Sequence, residues 1–340
     1  MAKKIILGLS GGIDSAVASL RLRAAGYDVL AVTLVMHDLP ACGGGSSVDA
    51  ACEVARKLNL EHHILDLKPL FKEKVLAPCF AAFNSGLTPN PCVLCNPSVK
   101  FHALEKAAEE FGAKFIATGH YARIQNGILR RGSDPLKDQT YFLYALPRSL
   151  REKLVFPLGD SHKSEIRQVL PDHTRPESQD ICFTDGTHSF AELLRLTFCA
   201  KPIKGNYIDK DGTVLGRHNG IHNCTIGQRR GLGIALGKPA CVTKIDPVTA
   251  EITLSTDPDD LLTMECTAVN PVWQDSIPLP GTRCTVQTRY RQVPVPAEVV
   301  AADLDRIQVR FSEPLRAVTP GQALVLYHGD ILLGGGEITR

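Results

Sequence analysis

Ile5-Ile6-Leu7-Gly8-Leu9-Ser10-Gly11-Gly12-Ile13-Asp14-Ser15 is the stretch from which the rest of the fold follows. An apolar run breaks into a Ser/Gly turn, and helix-forming residues come next. Strand, turn and helix in that order collect free backbone N–H groups and the positive end of a helix dipole at one point, which suits a phosphate. The two glycines let the main chain approach an anion closely, and the Ser10 and Ser15 hydroxyls add hydrogen bonds. No Lys follows the glycines, so this is not a Walker A loop, and the spacing is not that of a dinucleotide fingerprint.

The pattern continues outward from there. Asp14 to Ala25 reads as a helix that stops at Gly26. Val29 to Met36 is a continuous apolar run, as in a strand buried on both faces. Cys42 to Ser47 is a Gly/Ser-rich loop, Val48 to Leu58 a helix, Glu61 to Leu67 a short strand, and Pro69 to Phe83 an amphipathic helix. Val99 to Phe111 predicts another helix and Lys114 to Thr118 a further strand. Alternation of this kind means βαβ units and a parallel sheet, whose ligands bind at the carboxyl ends of the strands. Gly8 to Ser15, the strand end near Leu34, and Ala117-Thr118-Gly119-His120 all lie at such ends and converge on one nucleotide.

Segment 121–190 is mixed, with a polar loop at Asp134 to Gln139 and a short helix at Lys163 to Leu170. Beyond about residue 198, turn dipeptides such as Asp211-Gly212 and Asn219-Gly220 mark β-rich structure. Residues 212–245 hold five Lys/Arg and no acid. Six short strands follow, at Cys266 to Val269, Arg283 to Thr288, Ala297 to Ala301, Arg306 to Phe311, Ala323 to Tyr327 and Ile331 to Leu333, and predict a small barrel. The expected architecture is an α/β domain with a parallel sheet (1–197), a small β-rich central domain (198–262) and a C-terminal β-barrel (263–340).

With 340 residues, 44% hydrophobic and 22% charged, the chain is an ordinary globular one that fills two or three domains. A net charge of +2 confines any nucleic-acid surface to local patches. Met1-Ala2-Lys3-Lys4 leads straight into the first strand, with no signal peptide and no apolar run of membrane-spanning length, so a cytoplasmic protein without membrane partners is expected. Eleven cysteines in a reducing compartment point to buried thiols, metal ligands or redox catalysis.

Two thiol sites stand out. Pro89-Asn90-Pro91-Cys92-Val93-Leu94-Cys95-Asn96-Pro97 places a C-x-x-C among prolines, and predicts an exposed, rigid loop. Ser178-Gln179-Asp180-Ile181-Cys182-Phe183 puts Cys182 after a polar turn. Cys52, Cys224 and Cys284 sit in apolar or alternating patterns and read as small buried hydrophobes.

Ser-Gly-Gly-x-Asp-Ser resembles the pyrophosphate loop of N-type ATP pyrophosphatases, which pass AMP to a carbonyl or carboxylate oxygen. Together with Thr88-Pro89-Asn90-Pro91, Leu94-Cys95-Asn96, Ala117 to Tyr121, Lys137 to Leu143, Ile181-Cys182-Phe183, Thr225 to Gly233, Thr288 to Gln292 and Thr319 to Gln322, it makes nearly the whole chain resemble the bacterial tRNA-specific 2-thiouridylase (MnmA) family. The resemblance implies ATP-dependent adenylation of the 2-carbonyl of a wobble uridine and its replacement by sulfur. It implies ATP with Mg2+ as cofactor, a tRNA anticodon stem-loop as partner, and a sulfur-donor protein or sulfide as the source of sulfur.

Residue by residue, it assigns the phosphates to Gly8, Leu9, Ser10, Gly11, Gly12, Ile13, Asp14 and Ser15, and the adenosine to Leu34 and Gly119. Cys95 matches the nucleophile and Cys182 the persulfide carrier. Asn90, Pro91 and position 92 line the target base, and His120, Lys137, Asp138, Gln139, Arg289, Tyr290 and Gln322 touch tRNA. The chemistry agrees: adenylation turns a poor leaving group into AMP, and a thiolate or persulfide supplies the nucleophile. Arg289 and Arg291 beside Tyr290 combine phosphate contact with a stacking ring, and a base in a single-stranded loop is free to splay into a pocket.

One position departs from the family pattern, which has Asp where this chain has Cys92. Cys92, Cys95 and Cys182 are therefore also a ligand set for three irons of a [4Fe–4S] cluster whose fourth iron binds sulfide, a reading that ligand count favours. The persulfide route, with a transient Cys95–Cys182 disulfide, stands beside it. An amide-forming ligase of the same superfamily would need neither Cys95 nor Cys182. An RNA-binding protein with a vestigial nucleotide site would not need Ser10, Asp14 and Ser15.

Overall fold

The computed structural model describes residues 2–37, 47–173, 181 and 188–339. The strands of the first part are β1 (Lys3–Gly8), β2 (Tyr27–Val35), β3 (Glu61–Asp66), β4 (Phe115–Ala117), β5 (Ala122–Gln125), β6 (Ile128–Arg131) and β7 (Leu154–Val155). Five of them form the expected parallel sheet, in the order β3-β2-β1-β4-β7. Its apolar run is buried on both faces. Ile5 and Leu7 pack with Val17 and Leu22 of helix α1 (Ile13–Ala24), while Ile6 packs with Phe101 and Leu104 on the other side. Helix α2 (Ser47–Lys57) covers the edge of the sheet near β2 and β3.

The proline-flanked thiols are a correction. Pro91–Cys95 is α-helical, continues through a π turn at Asn96–Lys100 and runs on as Phe101–Glu110. Pro91 occupies the first helical position, where its missing N–H is no loss and its fixed φ suits a helix. The Asn90 side chain caps the start by accepting from Cys92 N–H at 3.1 Å. The wide π turn takes up Pro97. Cys95 is therefore only 4% exposed, against the expectation of an exposed loop, whereas Cys92 is half-buried.

Strands β8 (Gly205–Ile208), β9 (Val214–His218), β10 (Cys241–Asp246) and β11 (Glu251–Ser255) make a four-stranded sheet around Tyr207, Val242, Ile252 and Leu254. The last part holds β12 (Leu262–Trp273), β13 (Arg283–Gln287), β14 (Val295–Ala302), β15 (Arg306–Arg316), β16 (Ala323–His328) and β17 (Ile331–Ile338). These pair antiparallel in the order β12-β15-β14-β13-β16-β17, and β17 returns to β12, so the six-stranded barrel is closed. Closure removes the free edges that a six-stranded sheet would otherwise expose.

The hairpin β5–β6 straps the first part to the barrel. Arg130 pairs in register with Ile331, and Asp330 accepts from both Arg123 and Arg130 at 2.8 Å. Val325, Tyr327 and Leu332 of the barrel share one core with Phe101, Tyr141 and Leu143. Cys224 and Cys284 are buried as expected, and burial pushes the Cys284 thiol up to about 11. Cys52 is exposed on α2, contrary to its apolar sequence context. Among the described residues no helix is long and apolar enough to cross a membrane.

Candidate active site

A cavity of about 640 Å3 opens at the carboxyl ends of β1, β2 and β4. Gly8, Leu9, Ser10, Gly12, Ile13, Asp14, Ser15, Leu34 and Gly119 all line it. Gly11 does not, because it faces α2. It has φ +75, and a Cβ there would lie 2.7 Å from the main chain of Ala50 and Ala51. Only glycine fits that approach. Gly119 is held close in the same way, with Asp14 backbone 3.0 Å from where a Cβ would sit.

The loop is stapled by its own hydroxyls. Ser10 N–H donates to Ser15 Oγ at 3.2 Å, Ser15 Oγ donates to the Gly12 carbonyl at 3.0 Å, and Gly12 N–H donates to Ser10 Oγ at 3.4 Å. Thr33 Oγ1 donates to the Leu9 carbonyl at 2.8 Å and meets His62 Nε2 at 2.7 Å. Burial lowers the pKa of His62, so a neutral ring braces the loop. The turn is thus held by the chain's own hydrogen bonds, and it leads into the N-terminus of α1.

Two partners of this loop escape sequence reasoning. Lys163, with a side chain 7% exposed, contacts Asp14 Oδ1 at 2.6 Å, and Tyr121 donates its hydroxyl to the same oxygen at 2.7 Å. Lys163 lies 149 residues downstream of Asp14. The only local signal is its place at the first turn of a short helix, Lys163–Val169.

Asn90, Pro91, Cys92, Asn96 and Lys100 form a further wall of the same cavity, and His120, Phe142 and Lys137 also line it. His120 meets Thr118 Oγ1 at 2.7 Å through Nδ1 and stacks on Phe101. Burial, with the Lys100 cation nearby, holds its pKa well below the ordinary imidazole value, so the ring is neutral. From the barrel come Tyr290, Arg291 and Gln322. Gln139 lines the cavity and accepts from Tyr121 N–H at 3.0 Å.

Three predicted residues are not in this wall. Asp138 is 8% exposed and accepts from Arg131, Gly132 N–H and Thr140, so its carboxylate ties its own loop to strand β6 and does not line the cavity. Arg289 is exposed outside the cavity. Cys95 lies behind the wall in an apolar cluster with Phe71, Val75 and Val99, its Sγ 3.6 Å from Sδ of Met36, which does line the cavity. Cys182 lies outside the described residues, whereas Ile181 lines the cavity and packs against the Cys95 cluster. Among the described residues no group of three His, Cys, Asp or Glu could hold a metal; Cys92 and Cys95 alone do not complete a cluster ligand set.

Comparison with known proteins bears on the whole chain. Family models match at residues 3–186 (tRNA methyl transferase HUP domain), 196–256 (tRNA methyl transferase PRC-barrel domain) and 263–338 (Aminomethyltransferase beta-barrel domain). The tRNA-specific 2-thiouridylase MnmA of Clostridioides difficile (strain 630) is 37% identical over 360 residues, covering 100% of this chain and 99% of its own. That of Gloeothece citriformis (strain PCC 7424) is 40% identical over 352 residues, covering 99% of each. Among solved structures, U34-tRNA thiolase NcsA from Methanococcus maripaludis with its [4Fe-4S] cluster aligns with 58% of this chain and 65% of its own, at 17% identity and a TM-score of 0.37, too slight a likeness to argue from.

Proposed function

Since the chain belongs to the tRNA-specific 2-thiouridylase family, we propose that this cavity is where ATP activates the 2-carbonyl of a wobble uridine and sulfur replaces its oxygen. The enzyme is an ATP-using tRNA-uridine 2-sulfurtransferase. The observation that carries the local assignment is that the self-stapled Ser10–Ser15 loop lines one cavity together with Asn90 and Cys92. Gly8 to Ser15 hold the triphosphate, with Leu34 and Gly119 beside the adenosine. Mg2+ would come with the phosphates and offset their charge.

The uridine O2 attacks the α-phosphorus of ATP. The bond to the leaving pyrophosphate breaks, and O2 becomes part of an AMP ester. Lys100, at the wall, and the α1 N-terminus offset the charge that develops. The terminal sulfur of a persulfide on Cys182 then attacks C2, and AMP leaves. Cys95 thiolate attacks the inner sulfur of Cys182, which releases 2-thiouridine and leaves a Cys95–Cys182 disulfide that an external dithiol reduces. A sulfur-donor protein reloads Cys182.

Cys92 supports a second reading. It and Cys95 stand one turn apart on the same helix, as two thiolates of a [4Fe–4S] cluster would, with Cys182 as the third; such a cluster would supply sulfide. Iron and labile sulfide in anaerobically purified protein separate the two. About four irons per chain favours the cluster, and iron-free protein that thiolates tRNA with a persulfide donor removes it.

We assign Lys137, Gln139, Arg289, Tyr290 and Gln322 to the tRNA, with 1–197, 198–262 and 263–340 as the working units of a cytoplasmic enzyme. Near-neutral net charge makes affinity depend on these local cations and fall with salt. The test is tRNA-dependent pyrophosphate release by the full chain. Cys182→Ser keeps that release and loses thiolation. No release with substrate tRNA refutes the assignment.

A further inference from the structure

Asn96 is 2% exposed and lines the cavity. Its Nδ2 donates to the Phe142 carbonyl at 3.0 Å. Its Oδ1, buried, meets no donor among the described residues. Turning the amide over would set oxygen against oxygen at Phe142, so the acceptor end is the one left over. A buried acceptor without a donor is costly and calls for an explanation, and a ligand donor is one.

The surroundings say what kind of ligand. Asn96 follows Cys92 by four residues along an uninterrupted helical run, so the two stand on neighbouring turns of one face. Phe142 and Tyr290, ring centroids 4.3 Å apart, border the same cavity. The Gln287–Gln292 turn that carries Tyr290 is stapled, since Gln292 Oε1 accepts from Thr288 N–H at 2.8 Å and from Thr288 Oγ1 at 3.0 Å. An acceptor beside a fixed aromatic wall offers both an edge contact and a stacking face to a heterocyclic base.

We propose that Asn96 sets the enzyme's specificity for uridine: its Oδ1 accepts the hydrogen bond of the target base's N3–H, the group next to the reacting O2. The inference rests on the reading of this cavity as the thiolation site. Cytidine carries a lone pair at N3 and would face the Oδ1 lone pairs. Because Nδ2 is tied to Phe142, the amide does not turn to suit it. A site built around a hydrogen bond rejects the analogue that lacks the donor more strongly than shape alone does.

The experiment measures pyrophosphate release by the full chain with ATP and an anticodon stem-loop carrying uridine or 3-methyluridine at the target position. Wild-type enzyme should be slower on 3-methyluridine by about 100-fold or more, because the donor is gone and a methyl group faces Asn96. Asn96→Ala should be slower on uridine by roughly 10- to 100-fold, the cost of an unmet donor, and should treat the two bases alike. A structural role alone would slow both bases equally and leave their ratio intact. Equal rates of wild-type enzyme on the two bases overturn the proposal without recourse to any variant. So does a ratio that survives in Asn96→Ala. If Asn96→Ala instead raises KM for ATP but not for purine riboside triphosphate, which has no amino group, the donor is adenine and the uridine assignment falls. Absence of release by wild-type enzyme on uridine is a different failure, since it removes the reading of the cavity and the inference with it.

Discussion

Replacing Lys163 by Met tests whether the phosphate loop is held from behind by a charge. The amine lies 2.6 Å from Asp14 Oδ1, with side-chain exposures of 7% and 34%. Removing one partner of a fully buried pair costs about 3–5 kcal/mol, because the other charge is left stranded. Asp14 is a third exposed and keeps the Tyr121 hydroxyl at 2.7 Å, so water and that bond absorb much of the penalty. About 1–2 kcal/mol of stability is the expected loss. The effect on ATP should be larger than the effect on folding. Asp14 sits in the first turn of α1, at the mouth of the loop, and without the Lys163 cation its charge opposes the triphosphate. A 10- to 100-fold rise in KM for ATP corresponds to about 1.4–2.8 kcal/mol at 25 °C. Denaturant melts and steady-state pyrophosphate release measure the two quantities. Asp14→Asn in the Lys163→Met background should recover most of the stability, because no charge is then stranded. Unchanged melting together with unchanged KM in Lys163→Met would refute the reasoning.

The glycine at the back of the loop makes a second test: Gly11→Ala forces a left-handed residue and a 2.7 Å contact with the α2 main chain. The backbone conformation alone should cost about 1–2 kcal/mol, read as a lowered denaturation midpoint, and a wild-type midpoint would contradict it. Acid should destabilise the central sheet through His218. Its Nε2 meets the Ala250 carbonyl at 2.9 Å and its Nδ1 accepts from Gly220 N–H at 3.2 Å, so a second ring proton has no place. Burial lowers its folded pKa beneath the unfolded value of about 6.5. Stability is therefore whole above that value and is lost as pH falls from there towards the folded pKa. His218→Asn should flatten the pH slope of unfolding free energy between pH 7.5 and 5.5, and an identical slope in the variant would exclude this account. Met36 stands between the Cys95 thiol and the cavity side at 3.6 Å from sulfur to sulfur. Met36→Ala should speed alkylation of Cys95 by iodoacetamide severalfold, as mapped by mass spectrometry, and no change would mean that reagents reach the thiol by another path.

The parts of this molecule that sequence made legible are those set by neighbours in the chain. The run Ile5 to Leu7 is buried on both faces because it is apolar without alternation, and Gly11 marks the turn because only glycine tolerates its left-handed backbone beside α2. The six barrel strands are legible as a succession of short strand-length runs. What stayed hidden depends on contacts between distant segments. Prolines around Cys92 suggest a loop until Asn90 supplies a cap and places Pro91 at the first helical position. Asp138 looks like a polar surface residue until Arg131, from a hairpin strapped to the barrel, turns towards it at 3.1 Å. Lys163 has no motif of its own and finds Asp14 only when the sheet is assembled.

The cavity lip belongs to no single part of the chain, and Thr88 shows why. Its N–H donates to the Pro320 carbonyl at 2.9 Å, its carbonyl accepts from Gln322 Nε2 at 2.8 Å, and its hydroxyl donates to Thr225 Oγ1 at 3.3 Å. Gly321, at φ +89, allows this approach, since a Cβ there would lie 2.9 Å from Thr88 N. Thr88 is two residues before Asn90, the cap of the helix that carries Cys92, Cys95 and Asn96. The barrel and the Thr225 loop of the central part therefore position the start of that helix directly. A helix start anchored from outside its own part of the chain keeps Cys92 and Asn96 in the cavity wall only while those contacts are made, so the wall is a product of the assembled chain.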